Sequence, residues 1–154
     1  IPNFMYWAMH NQPLPITGDG SETRDWTYVG DIINGLLSMG VVDEAVGEAI
    51  NLGSGVETKV VDMAHLVNDL TGNTNGIKFT ERRNWDVKHR LLSSIEKAER
   101  ILDYKPETGF EDGVKNLYQW FETYWNHIDN SAEFPDYLKN KWKVNKKESV
   151  PVKA

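Results

Sequence analysis

Gly18-Asp19-Gly20-Ser21-Glu22-Thr23-Arg24-Asp25-Trp26-Thr27-Tyr28-Val29-Gly30-Asp31 concentrates more local constraint than any other stretch of this chain. Two glycines bracket an aspartate. Gly18 and Gly20 permit positive φ, and Asp19 can bond its own backbone, so the triplet predicts a tight turn. Behind it, the aromatic and β-branched run Trp26, Thr27, Tyr28, Val29 predicts a strand. Asp31, just ahead of Ile32, Ile33, Leu36 and Leu37, reads as the N-cap of a helix. An arginine directly after a glycine turn belongs at the base of a cleft, and the planar guanidinium of Arg24 suits a phosphate or a carboxylate.

Upstream of the turn, residues 3–11 predict a short helix ended by Asn11 and Pro13, with a short strand over 14–17. Downstream, the helix behind Asp31 stops near Gly40, and 48–52 predicts a strand ending in Gly53-Ser54-Gly55. That turn is two thirds of a GxGxxG pattern. Thr58 stands where the third glycine belongs and no acid-ended second strand follows, so a strand-to-helix turn is the favoured reading over a dinucleotide fingerprint. A helix over 60–70 closed by Gly72, a strand over 77–80 and an irregular basic stretch over 81–90 come next. Ser93-Ser94-Ile95-Glu96 offers a capping box for a helix ending near Tyr104 and Pro106, and Thr108-Gly109-Phe110-Glu111 repeats the device. In the long helix that follows, Phe110, Val114, Leu117, Tyr118, Phe121, Trp125 and Ile128 fall on one face, which reads as core. Short strands alternating with helices predict an α/β fold with the α+β character of a small lobe.

A chain of 154 residues, 40% hydrophobic and 26% charged, suffices for one domain with a real core. No apolar run has membrane-span length and no secretory leader is evident, so the expected setting is cytoplasmic, without membrane partners. The absence of cysteine excludes disulfides and thiolate metal sites. Residues 129–154 hold six lysines against four acids, so a basic tail follows a body, 1–128, that carries −8 against a net charge of −6. An acidic body argues against nucleic acid as a partner. The apolar start around Phe4, Tyr6, Trp7 and Met9 predicts a surface that drives self-association.

The four histidines lack metal-ligand spacing and no serine sits in a GxSxG elbow, so neither a metal nor a catalytic residue is assigned. Turn and capping roles account for Asp19 and Asp31. Anion recognition remains. Arg24 and Arg90, the latter closing the basic stretch, either converge on one doubly charged group or pair locally, Arg24 with Asp25 or Glu22 and Arg90 with Asp86.

The ordered series Leu14-Pro15-Ile16-Thr17-Gly18-Asp19-Gly20, Thr23-Arg24-Asp25-Trp26, Tyr28-Val29 and Asp31 resembles part of the extended short-chain dehydrogenase/reductases. Within them it is most similar to the NAD-dependent nucleotide-sugar epimerases and dehydratases of UDP-glucose 4-epimerase type. Ile1-Pro2-Asn3-Phe4, Ala49 to Gly55, Arg83-Asn84-Trp85-Asp86-Val87 through Arg90, Ile95 to Ala98, Leu102 to Pro106 and Phe110 to Val114 extend the resemblance over about 1–128. It implies the carboxy-terminal substrate-binding domain of an isomerase or dehydratase, lacking the Rossmann lobe. By position, Arg24 and Arg90 would contact the diphosphate of a nucleotide sugar, with Asn51, and the backbone around Pro15 and Ile16 would line the base. Thr17 departs from the family's usual Tyr or Phe. The GxxGxxG loop and YxxxK pair are missing, so NAD is expected only in a full-length parent, not on this chain, and the chain alone is expected to be inactive. The competing expectation is a standalone binding or interaction module on the same fold.

Overall fold

The computed structural model describes residues 1–82, Asn84 and 88–132. The chain starts in α1 (Pro2–Met9), with proline in the first turn where its missing N–H costs nothing. It turns at Asn11 into β1 (Leu14–Thr17) and then through the glycine turn. Gly18 and Gly20 both take positive φ, 81° and 77°, and the Asp19 carboxylate accepts from the Ser21 N–H and hydroxyl. The turn is the one expected.

The next strand is earlier than expected. β2 is Thr23–Asp25, whereas Trp26 and Thr27 are irregular and Tyr28 is the N-cap of α2 (Val29–Met39). Asp31 therefore lies inside the first turn of α2 and does not cap it. Its buried carboxylate instead accepts from the Glu107 and Thr108 N–H groups, both at 3.2 Å, tying α2 to the loop ahead of the last helix. A 3₁₀ turn, Asp43–Ala45, follows.

The stretch 48–52 is irregular, not a strand: among the described residues no strand pairs with it. β3 (Glu57–Lys59) leads into α3 (Val60–Thr71), which ends on Gly72 at φ 69°. β4 (Ile77–Thr80), β5 (Arg90–Leu91), α4 (Glu96–Leu102) and α5 (Phe110–Ser131) complete the order. Neither capping box forms as expected. Ile95 and Gly109 are the N-caps without side-chain bonds, and the Ser94 hydroxyl instead meets the Glu96 carboxylate directly.

β1 and β4 form a parallel pair in register Leu14 to Ile77 through Thr17 to Thr80. β2 is the centre of a second sheet, antiparallel to β3 and parallel to β5. The mixed α/β class expected from the alternation is the one observed. The main core gathers Met5, Tyr6, Ala8, Leu14, Ile16, Met63, Ala64, Val67, Val114 and Phe121 from α1, β1, α3 and α5. A smaller core of Ala45, Ala98, Leu102 and Tyr104 lies under α2 and α4.

The α5 stripe is core, as its spacing requires, with Val114 and Phe121 buried and Phe110, Leu117, Tyr118, Trp125 and Ile128 packed around them. α5 runs three residues into the stretch read as tail. There Asp129 accepts from the Tyr6 hydroxyl at 2.8 Å and pairs with His10 Nε2 at 2.9 Å. The apolar start of the chain is not an open surface either: Tyr6 is buried, and Phe4, Trp7 and Met9 pack against the main core. The rest of the tail, from 133, lies outside the described residues, as do Arg83, Trp85, Asp86 and Val87 of the basic stretch. Among the described residues no helix is long and apolar enough to cross a membrane.

Candidate functional site

The site is built around β2, because its three residues hold three otherwise separate segments. In register, Thr23 faces Lys59 and Arg90, Arg24 faces Thr58 and Leu91, and Asp25 faces Glu57. Side chains of partnered residues leave a sheet on the same face, and successive residues alternate. Thr23, Arg90 and Glu57 accordingly meet on one side. Arg90 Nε donates to both Glu57 oxygens at 2.8 and 2.9 Å, its Nη2 donates at 2.7 Å, and the Thr23 hydroxyl adds a fourth bond at 2.7 Å. Arg90 first and Thr23 second hold the Glu57 carboxyl below its usual range, and Glu57 raises Arg90 in return.

Arg24 leaves the other face. Its Nη1 donates to the Thr23 carbonyl at 2.7 Å and approaches the His89 carbonyl at 3.4 Å. With Asp25, Trp26, Leu91, Leu92 and Ser93 it lines an open cleft of about 430 Å³. Arg90 meets Glu57, and the buried Glu22, one of the partners weighed for Arg24, meets Arg82 at 2.9 Å. Asp86 lies outside the described residues.

Asp25 is the knot. Its carboxylate accepts from Ser54 N at 2.9 Å, the Ser54 hydroxyl at 2.5 Å, Gly55 N at 3.1 Å, Ser93 N at 3.2 Å and the Thr27 hydroxyl at 3.1 Å. Burial opposes its ionisation, but the bonds from Ser54, Gly55 and Ser93 outweigh it and hold the carboxyl below the ordinary aspartate range. The packing is close enough to dictate glycine at 53. A Cβ there would stand 2.5 Å from Ser93 Cβ and 2.7 Å from Asp25 Oδ2.

This arrangement also decides the use of the Gly53-Ser54-Gly55 turn. The Ser54 and Gly55 N–H groups that a phosphate would need are spent on Asp25, and a strand, not a helix N-terminus, comes next. The turn is not suited to a dinucleotide pyrophosphate. Among the described residues no group of three His, Asp or Glu side chains is placed to hold a metal.

Asn51 is exposed in the irregular stretch that Asp25 anchors at Ser54. Pro15 and Ile16 lie in the other sheet, joined to β2 by the glycine turn. Ile16 is buried and its carbonyl accepts from the Thr80 hydroxyl, while Pro15 and Thr17 alternate outward and are half-buried. The structure thus brings Arg24, Asn51 and Arg90 to segments tied by one carboxylate, with Arg24 and Arg90 on opposite faces. Sequence reasoning missed the organising role of Asp25. The only trace of it was an acid followed at a distance by two small hydroxyl residues, Ser54 and Ser93.

A family model described as GDP-mannose 4,6 dehydratase matches residues 1–117. An epimerase from Methanothermobacter thermautotrophicus is 59% identical with a TM-score of 0.85, over 86% of this chain and 40% of that one. A Bordetella bronchiseptica enzyme solved in complex with NAD+ and UDP is 31% identical with a TM-score of 0.70, over 84% of this chain and 37% of that one. UDP-glucuronic acid decarboxylase 1 of Danio rerio is 29% identical over 88% of this chain and 32% of its own length. The chain spans about a third of the length of the curated relatives it matches.

Proposed function

We propose that this chain, which belongs to the NAD-dependent nucleotide-sugar epimerases and dehydratases of the extended short-chain dehydrogenase/reductases, is the substrate-holding part of a longer enzyme of that kind. The observation that carries the proposal is Arg24, set by β2 on an open cleft beside the anchored loop 51–55 and within a match that covers most of this chain. In this reading Arg24 takes the diphosphate of the nucleotide sugar, Asn51 adds a polar contact, and the backbone at Pro15 and Ile16 lines the base. Arg90, on the opposite face of the sheet, reaches the same group only by giving up Glu57. Hydride transfer and NAD belong to the remaining part of the parent, and we assign this chain binding and not catalysis. The similar Bordetella bronchiseptica enzyme was solved with NAD+ and UDP together, so one enzyme of this kind holds both.

Calorimetric titration of the chain with UDP, dTDP and GDP tests this. With one wall of the pocket missing, the expected affinity is about millimolar, on the order of −4 kcal/mol. Arg24→Ala is expected to weaken it at least tenfold and Arg90→Ala less. Equal binding by Arg24→Ala, or submicromolar binding by the chain alone, defeats the assignment.

A further inference from the structure

We propose that Asn75 is a site of covalent self-modification, at which the chain converts an asparagine to an isoaspartate without an enzyme. The sequence holds two Asn-Gly pairs, Asn34-Gly35 and Asn75-Gly76. Glycine lacks a Cβ, so its amide nitrogen is the least shielded and its backbone the freest to bring that nitrogen onto the preceding side chain. Both asparagines are exposed, so access to water does not separate them. Their backbones do.

Asn34 lies inside α2, where the Gly35 N–H belongs to the helical ladder. Gly35 is also buried, and a Cβ there would meet Leu52 Cδ2 at 2.7 Å, so this backbone has no room to turn its nitrogen toward Asn34 Cγ. Asn75 lies in the irregular link between α3 and β4. Gly76 takes φ 67°, a Cβ on it would find open space, and its N–H has no acceptor among the described residues. The Asn75 side-chain nitrogen donates to the Asn11 carbonyl at 2.7 Å. That exposed bond holds only the group that leaves, and swinging the amide off it is a modest cost.

The chemistry balances with water as the sole co-reactant. The Gly76 nitrogen bonds to Asn75 Cγ, and the side-chain nitrogen leaves with the Gly76 proton as ammonia. Water then opens the resulting succinimide at either carbonyl. Cleavage at Cγ gives aspartate, and cleavage at the backbone carbonyl routes the main chain through Cγ as isoaspartate, longer by one methylene. The position gives the change structural reach. The Thr74 N–H donates to Asn11 Oδ1 at 3.3 Å, and the Gly76 carbonyl accepts from Leu14 N at 2.9 Å, where the β1–β4 register begins. Either product puts a carboxylate in place of the amide that donates to Asn11, and the isoaspartate also lengthens the chain directly ahead of β4. The modification thereby loosens the parallel pair at its start.

Peptide mapping by mass spectrometry, on the chain aged in mildly alkaline buffer, tests the proposal. The peptide containing Asn75 is expected to gain the mass of an amide-to-acid change and to split into two products, the isoaspartyl one labelled by a protein isoaspartate methyltransferase. Conversion at Asn34 is expected to be at least tenfold slower in the folded chain and to catch up with Asn75 when the chain is aged in guanidinium. An unconverted Asn75, or equal rates at the two sites in the folded chain, overturns the proposal. Hydrogen exchange reads the structural consequence. The Leu14 amide is expected to exchange at least fivefold faster in the aged chain than in the fresh one, while an Asn75→Gln chain aged alike keeps its fresh rate. An aged chain that converts at Asn75 and keeps the fresh Leu14 rate overturns the loosening of β1 and β4.

Discussion

Asp25 and Arg24 are adjacent in sequence and opposite in role, since the arginine opens onto a cleft while the aspartate closes three segments together. In Asp25→Asn one of the two acceptor oxygens becomes an amide that faces N–H donors, so either the bonds from Gly55 and Ser93 to Oδ2 or those from Ser54 to Oδ1 are lost or turned repulsive. The expected cost is about 2–3 kcal/mol, read as a lower urea midpoint. The pH dependence has a definite sign. Asp25 has a depressed folded-state pKa, so its stabilisation is present above the unfolded value of about 3.9 and is lost as pH falls through the lower folded value. Urea midpoints measured downward from pH 5 are expected to fall below about pH 4 in the parent chain. That fall is expected to be shallower in Asp25→Asn, and parallel curves would remove Asp25 from the account. The cleft side of this pair was legible in sequence because an arginine after a glycine turn is a local pattern. The knot was not, because its partners are 29 and 68 residues away and nothing local selects them.

Among the elements, those with an unambiguous period or stop signal were legible: α1 before Pro13, β1 before the glycine turn, α3 before Gly72, β4, and the α5 stripe. Where tertiary contacts competed with local signals, the local reading failed. Asp31 has the sequence of an N-cap, yet two amides from a distant loop claim its carboxylate. Ile50 and Leu52 have strand character, but a strand exists only with a neighbour, and their side chains are engaged by the smaller core. Trp26 to Val29 has β propensity, yet the residues ahead of it take the ladder because β3 and β5 register on Thr23 and Arg24. α5 offers the cleanest test at this scale, since neighbouring aromatics have opposite fates. Phe121 is buried and Trp120 half exposed. Phe121→Ala is expected to cost about 3–5 kcal/mol and Trp120→Ala under about 1 kcal/mol in urea unfolding. Similar losses from both would mean that the stripe is misassigned.

At the scale of the molecule, the two cores differ in extent. The larger joins α1, β1, α3 and α5, while the smaller rests on Ala45, Ala98, Leu102 and Tyr104 beneath a helix with one open side. Native-state hydrogen exchange is therefore expected to show α2 and α4 opening at a free energy about 1–2 kcal/mol below that of α3. A single common opening energy would show one cooperative unit instead. The larger core has its own peculiarity. Tyr6 and His10 on the first helical segment are clasped by Asp129 near the end of α5, 123 and 119 residues further on. During synthesis at about 5–20 residues per second, the carboxylate that completes this clasp emerges roughly 6–25 seconds after its partners. Until then α1 leans on β1 and α3, and Tyr6 and Trp125, whose rings end 5.6 Å apart, have yet to meet. Translation speed, which no stability measurement reads, thus sets how long the apolar side of α1 is open to the holding chaperones of the cell.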